Sequence, residues 1–159
     1  MNIESQVTSL ELSKRLKELG IENDSLFYYC NIDGEGKYYI YYSEQMPEEF
    51  EYEGDPIAAF NVAELLSLLP NRITLPEGEP YNSFRFRMEK SLHVKGMDEP
   101  STLIVSYLYI VNYVCDTISN ETKWVFNQLT NNISDENPSN ALALMLICLY
   151  ENGLIKNDN

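Results

Sequence analysis

Hydrophobic and polar positions alternate with helical spacing near the N-terminus. Three leucines fall on one helix face, with charged residues opposite: Leu12, Leu16 and Leu19. Thr8 and Glu11 have the spacing of a capping box, which predicts Thr8 as the N-cap. Gly20 stands where a left-handed residue commonly ends a helix. We therefore predict a first helix that starts at Thr8 and ends at Gly20.

Two aromatic-rich stretches follow, residues 26–30 and 37–43, and both have the composition of β-strands. Gly34 and Gly36 between them can supply the positive φ angles of a tight turn, which predicts an antiparallel hairpin. The hairpin is rich in tyrosine, and three of its tyrosines are candidate binding residues: Tyr28, Tyr39 and Tyr41. An exposed tyrosine cluster suits a binding surface, and the alternative is a half-buried sheet that uses tyrosine only for packing.

A second helix is predicted over residues 61–69. Asn61 and Glu64 form a capping box, and the apolar positions that follow make one stripe before Pro70. The next residues, 71–80, are rich in Pro, Gly and Glu and are predicted to be a connector.

The second half of the chain has the patterns of a strand meander. Residues 84–89 alternate with period two, and residues 92–95 either continue that strand or form its partner. Residues 102–116 are apolar at odd and even positions, which predicts a strand covered on both faces or bent through a bulge. Residues 123–129 are predicted as a further strand, and 131–137 as a polar loop.

The last stretch predicts a buried helix. Asn137 can cap it, Pro138 suits the first position, and the ten residues of 141–150 are all apolar. Gly153 can close it in a left-handed conformation. A helix that is apolar on every side has to be covered on most sides. Its length of roughly 15 residues is short of the roughly 20 that a membrane span needs.

This order of elements predicts an α+β fold: an antiparallel sheet, made of the hairpin and the meander, packed against about three helices, with a buried C-terminal helix. A length of 159 residues suits a single domain over residues 1–159.

The charge of the chain is −14 and unevenly distributed. Residues 21–60 carry one Lys or Arg against ten Asp or Glu, a net charge of −9. This balance argues against direct binding of nucleic acid or an anionic membrane. The N-terminus has no signal-peptide pattern, and three widely spaced cysteines indicate reduced core residues, so we expect a cytoplasmic protein.

One acidic segment is a candidate binding site for a partner with a basic surface. It has six carboxylates and no basic residue: Glu44, Glu48, Glu49, Glu51, Glu53 and Asp55. Such a segment can also imitate the phosphates of a nucleic acid. The alternative is that it pairs with the basic stripe that includes Arg85 and Arg87.

Catalytic and metal patterns are weak, so we assign no catalytic residue, metal or cofactor. Residues 31–36 match the first half of a calcium loop, but Tyr42 stands where the bidentate Glu belongs. A metal-dependent hydrolase would use Glu121 and Lys123, with Asp98 or Asp116 as a second ligand.

Three stretches resemble short, functionally uncharacterised accessory proteins of phages and prophages: residues 9–29, AAFNVAELLSLLP at 58–70, and NPSNALALMLICLYENGLI at 137–155. The resemblance covers about a third of the chain. It implies an intracellular protein of a mobile element and transfers no functional residue. Our leading hypothesis is a non-enzymatic protein-interaction module of this type. The alternative is an acidic inhibitor of a nucleic-acid-handling host defence enzyme, and the metal-dependent hydrolase is the third hypothesis.

Overall fold

A computed structural model describes residues 2–21, 23–32, 34–48, 52–74, 83–97, 103–115 and 133–155. The helices are α1 (Leu10–Glu18), α2 (Val62–Leu68) and α3 (Pro138–Glu151). The strands are β1 (Phe27–Asn31), β2 (Tyr38–Tyr42), β3 (Glu53–Ala58), β4 (Arg72–Thr74), β5 (Ser83–Met97), β6 (Leu103–Cys115) and β7 (Ile133–Asp135). Single 3₁₀ turns occupy Ile3–Ser5 and Ser43–Gln45.

The fold is α+β, as predicted, with the hairpin and the meander in two antiparallel sheets. The smaller sheet has the strand order β2-β1-β3, and the larger has the order β4-β5-β6-β7. Three of these strands were not predicted: β3, β4 and β7. Their sequences, EGDPIA, RIT and ISD, are short or contain Gly and Pro, so local β propensity does not identify them.

Of the two alternatives for residues 92–95, the structure shows the continuation, because β5 runs through both segments to Met97. The bulge lies in β5, where the register with β6 shifts between Val94 and Gly96. The strand predicted at residues 123–129 lies outside the described residues.

The start of α1 corrects the prediction by one residue. Ser9, not Thr8, is the N-cap, and its side chain accepts a hydrogen bond from the Leu12 amide. Thr8 is fully buried, and its Oγ1 lies 2.7 Å from Ser13 Oγ and accepts a hydrogen bond from the Phe60 amide. The hydroxyl is thus used in a tertiary contact, which outweighs the local capping signal.

The C-terminal helix α3 is buried, as predicted, and contacts α1, α2, β6 and β7. Its apolar side chains form the centre of the larger core cluster, together with Leu16 of α1, Leu65 of α2 and Val111 of β6. Each fully buried leucine stabilises the fold by about 1.5–3 kcal/mol. The predicted close of the helix is confirmed, because Gly153 has φ +66° and the Leu154 amide donates to the Leu149 carbonyl at 2.9 Å.

The smaller sheet packs over a second apolar cluster that includes Val7, Tyr29, Ile57 and Ala59. Within the described part of the chain, no helix is both long enough and apolar enough to cross a bilayer.

Candidate functional site

β2 forms one edge of the smaller sheet. It pairs with β1 from Phe27 opposite Tyr42 to Asn31 opposite Tyr38, and among the described strands none lies on its outer side. Its sequence, YYIYY, has no charged residue and no proline. An edge strand presents a row of unpaired backbone N–H and C=O groups, and charge or proline is the usual protection against pairing with another chain.

A groove of about 640 Å³ runs beside this edge, and we call it the tyrosine groove. Its lining residues come from the N-terminal segment and from the hairpin: Asn2, Ile3, Glu4, Ser9, Leu10, Tyr29, Tyr38, Tyr39, Ile40 and Tyr41. The groove thus has a strand edge on one side and the 3₁₀ turn with the start of α1 on the other. This arrangement suits an extended peptide, which can pair with the strand while its side chains enter the groove.

The N-terminal wall of the groove is fixed by the start of α3. Asn137 Nδ2 donates to the Val7 carbonyl at 2.8 Å and to the Glu4 carbonyl at 3.2 Å. Ser139 Oγ donates to the Gln6 carbonyl at 2.7 Å. The same Asn137 caps α3, since its Oδ1 accepts from the Ser139 amide at 2.9 Å. The wall is therefore attached to the buried core.

Tyr29 on the central strand connects the groove to the interior. Its ring is 8 % exposed, and its hydroxyl donates to the Thr8 carbonyl at 2.8 Å. Burial raises the pKa of the Tyr29 phenol above its ordinary value, and the nearby Glu4 carboxylate raises it further. Tyr29 thus positions the segment that leads into α1.

Two aromatic contacts hold the ends of β2. Lys14 Nζ of α1 lies 4.5 Å from the centre of the Tyr38 ring, within range of a cation–π interaction. At the other end, the rings of Phe27 and Tyr42 meet edge to face with their centres 5.6 Å apart. Tyr39 between these contacts is 47 % exposed, which leaves it available to a partner.

The three predicted tyrosines divide between two sites. Tyr39 and Tyr41 line the tyrosine groove. Tyr28 is half-buried, accepts a hydrogen bond from the Ser25 amide at 3.0 Å, and lines a separate cleft of about 280 Å³ that also contains Lys17 and Asp55.

The acidic segment is described in part. Glu44, Glu48, Glu53 and Asp55 are all exposed, whereas Glu49 and Glu51 lie outside the described residues. The Lys17 ammonium lies 3.5 Å from the Asp55 carboxylate, which is 89 % exposed.

These acids occupy two ends of the sheet. Glu44 follows the end of β2, next to the Phe27 end of β1, and Glu53 pairs with Asn31 at the other end. Glu44 and Glu53 therefore lie at opposite ends of the smaller sheet. The alternative that the acidic segment pairs with Arg85 and Arg87 depends on side chains outside those that the structure describes.

Metal and catalytic candidates fall mostly outside the described residues. This applies to Asp98, Asp116, Glu121, Lys123 and Asp33 of the half calcium loop. In the described ranges, no three His, Cys, Asp or Glu side chains lie together as a metal site. Burial raises the pKa of the Cys30 and Cys148 thiols, which disfavours the reactive thiolate.

Sequence reasoning missed the second wall of the groove. Asn2, Ile3 and Glu4 carry no motif, and long-range hydrogen bonds, among them those from Asn137 and Ser139, hold their segment near the hairpin. The sole signal was the run of tyrosines on one strand. No protein-family model matches this chain, and no curated protein or solved structure matches it.

Proposed function

We propose that this protein is a non-enzymatic interaction module, an accessory protein of the phage or prophage type that acts in the cytoplasm. It binds an extended segment of a partner protein as an additional strand beside β2. One observation carries this proposal: an uncharged edge strand borders a groove lined by tyrosines. Edge pairing gives affinity through backbone hydrogen bonds, and the groove gives specificity through alternate side chains.

The surroundings of the groove favour a partner segment that is neutral or basic. Glu4 lines the groove, and the part of the sequence that contains the hairpin, residues 21–60, has a net charge of −9. A basic segment approaches such a surface faster and an acidic one is repelled. The chain ends and α2 resemble phage and prophage proteins. This resemblance supports a host protein as the partner that supplies the bound segment.

The proposal is tested with a library of random peptides of about ten residues, long enough to cover a five-residue strand. Peptides that bind the immobilised protein are selected and then titrated into isotope-labelled protein. We expect amide shift changes and new exchange protection at Tyr38–Tyr42 and at residues 2–10. Selection of no peptide, or shift changes centred on β3 or α2, contradicts the proposal.

A matched pair of variants separates the groove from exposed hydrophobic surface in general. Tyr39 and Leu66 are both large and exposed, at 47 % and 41 %, but only Tyr39 lines the groove. Tyr39→Ala is expected to weaken binding of a selected peptide about thirtyfold, as for an aromatic hot spot of about 2 kcal/mol. Leu66→Ala is expected to leave binding unchanged. Equal effects of the two variants contradict the proposed site.

A second candidate function is inhibition of a nucleic-acid-handling host defence enzyme by acidic mimicry. The exposure of Glu44, Glu48 and Glu53 favours it. Binding through these acids would weaken steeply with salt and on Glu44→Gln/Glu48→Gln/Glu53→Gln, whereas strand addition at β2 would respond to Tyr39→Ala. The two functions therefore differ in the salt dependence of binding and in the substitutions that weaken it.

A further inference from the structure

One face of β2 lies against the N-terminal segment. Ile40 is directly opposite Tyr29 of β1, and directly opposite residues of an antiparallel pair share one face of the sheet. Tyr38, two residues earlier on β2, lies on this face as well, and we call it the inner face. It packs in the apolar cluster with Val7, and the Tyr29 hydroxyl donates to the Thr8 carbonyl. The N-terminal wall of the tyrosine groove therefore belongs to the inner face.

A strand that pairs with β2 meets two environments. Among the described strands none lies on the outer side of β2, and a strand added there places every second side chain on the inner face. Those side chains enter the tyrosine groove beside the N-terminal wall. The side chains between them share the opposite face with Tyr39 and Tyr41. The groove therefore distinguishes alternate positions of a bound segment.

Glu4 is the only charged residue among the described residues that line the groove. Its Oε2 accepts a hydrogen bond from Asn2 Nδ2 at 3.1 Å, and none of the ion pairs between described residues includes it. Burial and, to a lesser extent, the charge of Glu4 raise the pKa of the Tyr29 phenol, so this carboxylate acts on the inner face. A carboxylate beside tyrosine rings is an environment that binds a cationic side chain.

Lys14 narrows the position of such a cation. Its ammonium lies 4.5 Å from the centre of the Tyr38 ring, so a second cation at that ring would be repelled. The other inner-face residue of β2 that lines the groove is Ile40, opposite Tyr29. The residue of a bound strand that lies opposite Ile40 is therefore the one best placed to carry a positive charge.

Arginine fits this position better than lysine. Its planar guanidinium can stack on an aromatic ring and donate two parallel N–H groups to one carboxylate, whereas the lysine ammonium is a strongly hydrated point charge. The net charge of −9 over residues 21–60 attracts any basic segment, but such a field does not select one position. A preference for arginine at one position needs the groove.

We infer that the tyrosine groove preferentially binds a segment with an arginine opposite Ile40, and that Glu4 binds its guanidinium. This inference rests on the function proposed above, the addition of a strand beside β2, and it adds the side chain that the groove recognises. A shift of the arginine by one residue turns it to the opposite face and removes the contact with Glu4.

The test uses a peptide from the selection described above. It is synthesised with arginine, lysine or citrulline at the position that nuclear Overhauser contacts place opposite Ile40. Citrulline has the shape of arginine without the charge, and it is expected to bind about thirtyfold more weakly, because the charged contacts with Glu4 and the tyrosine rings are lost. Lysine is expected to bind with intermediate affinity. Moving the arginine by one residue is expected to weaken binding at least about tenfold.

Glu4→Gln and Glu44→Gln are a matched pair of variants. Both residues are exposed and each substitution removes one negative charge from −14, but only Glu4 lines the groove. In Glu4→Gln the preference for arginine over citrulline is expected to fall to about threefold, the part that the aromatic rings supply. In Glu44→Gln it is expected to stay within about twofold of the preference of the unsubstituted protein. An equal preference in the two variants overturns the inference, because a general field then explains the effect.

The outcomes separate this inference from the proposed function. Peptides that bind at β2 with equal affinity for arginine and citrulline, or with arginine tolerated equally at adjacent positions, overturn the inference and leave strand addition in place. If no peptide is selected, or if binding is centred on another strand, the proposed function fails and the inference fails with it.

Discussion

The two edges of the smaller sheet, β2 and β3, have opposite properties. β3 carries Gly54 at φ +74° and Pro56, which has no N–H to donate, and its register against β1 shifts after Tyr29. It also exposes Glu53 and Asp55. These are the features that keep an edge strand from pairing with other chains. β2 is regular, uncharged and free of proline, and it borders the tyrosine groove. Among the described strands, β3 is thus a protected edge of this sheet and β2 is an open one.

The largest expected effect comes from giving β2 the charge that protects β3. Tyr39→Lys/Tyr41→Lys removes two aromatic side chains from the groove lining and adds charged groups to the edge, and it is expected to weaken binding of a selected peptide at least about a hundredfold. The measurement is isothermal titration of the variant against the peptide, with circular dichroism to confirm the fold.

The converse variant is Pro56→Ala in β3. It restores one N–H group but leaves Gly54 and Asp55 in place, so we expect no new peptide binding at β3. Peptide binding that moves to β3 in this variant would show that proline alone separates the two edges.

The second effect concerns the N-terminal wall of the tyrosine groove, beside β2. Asn137→Ala removes the N-cap of α3 and both side-chain bonds to the N-terminal segment, and it is expected to cost about 1–2 kcal/mol of unfolding free energy. Exchange of the amides of residues 2–6 is expected to accelerate. Asn61→Ala, which removes the N-cap of α2, is the control. It is expected to lower stability without changing exchange at residues 2–6, and equal exchange in the two variants would contradict the anchoring role of Asn137.

The third effect tests the buried phenol beneath the groove. Because the folded-state pKa of Tyr29 lies above its ordinary value of 10.0, the unfolded chain loses this proton first as pH rises. Its contribution to stability is complete below pH 10 and is lost above it. Tyr29→Phe is expected to lower the free energy of unfolding by about 1 kcal/mol at neutral pH, because the hydrogen bond to the Thr8 carbonyl is lost. It is also expected to make the free energy of unfolding fall less steeply as pH rises above 10. Denaturant unfolding between pH 8 and about 11 measures both effects, and an unchanged alkaline slope contradicts the assignment.

The smallest effects come from two lysines of α1, one directed to each edge strand. Lys14 lies over Tyr38 of β2, and Lys17 lies near Asp55 of β3. Lys14→Ala is expected to cost about 0.5–1 kcal/mol. Lys17→Ala is expected to cost under about 0.5 kcal/mol, because Asp55 is exposed and its ion pair is screened by solvent. Thermal unfolding in low and high salt separates the two, and a larger cost for Lys17→Ala would contradict this order.

Prediction from sequence succeeded where local signals and tertiary packing agree. The all-apolar run from 141 to 150, with Asn137 before it and Gly153 after it, identified α3 and its burial. It failed at β3, because Gly54 and Pro56 make that strand locally unfavourable and only pairing with β1 creates it. Prediction from sequence also misplaced the N-cap of α1, because the Thr8 hydroxyl forms hydrogen bonds with Ser13 Oγ and the Phe60 amide.

Only one side of the candidate site, the tyrosines of β2, could be predicted from the sequence. The tyrosine run of β2 is visible in the sequence, and two of its members, Tyr39 and Tyr41, line the groove. The opposite wall depends on contacts between Asn137 and Val7, which are 130 positions apart. No local pattern encodes such a contact. Tyr28 lies opposite Tyr41 in the hairpin, and it lines the cleft that contains Lys17 and Asp55.

Hydrogen exchange of the β2 amides in the free protein tests the central claim most directly. An open edge strand has alternate N–H groups bonded to β1 and alternate groups directed to solvent. We therefore expect the amides of Tyr38–Tyr42 to fall into two alternating classes, one slow and one fast, with the fast class slowed by a selected peptide. If all these amides are slow in the free chain, the edge is already paired and the account is wrong.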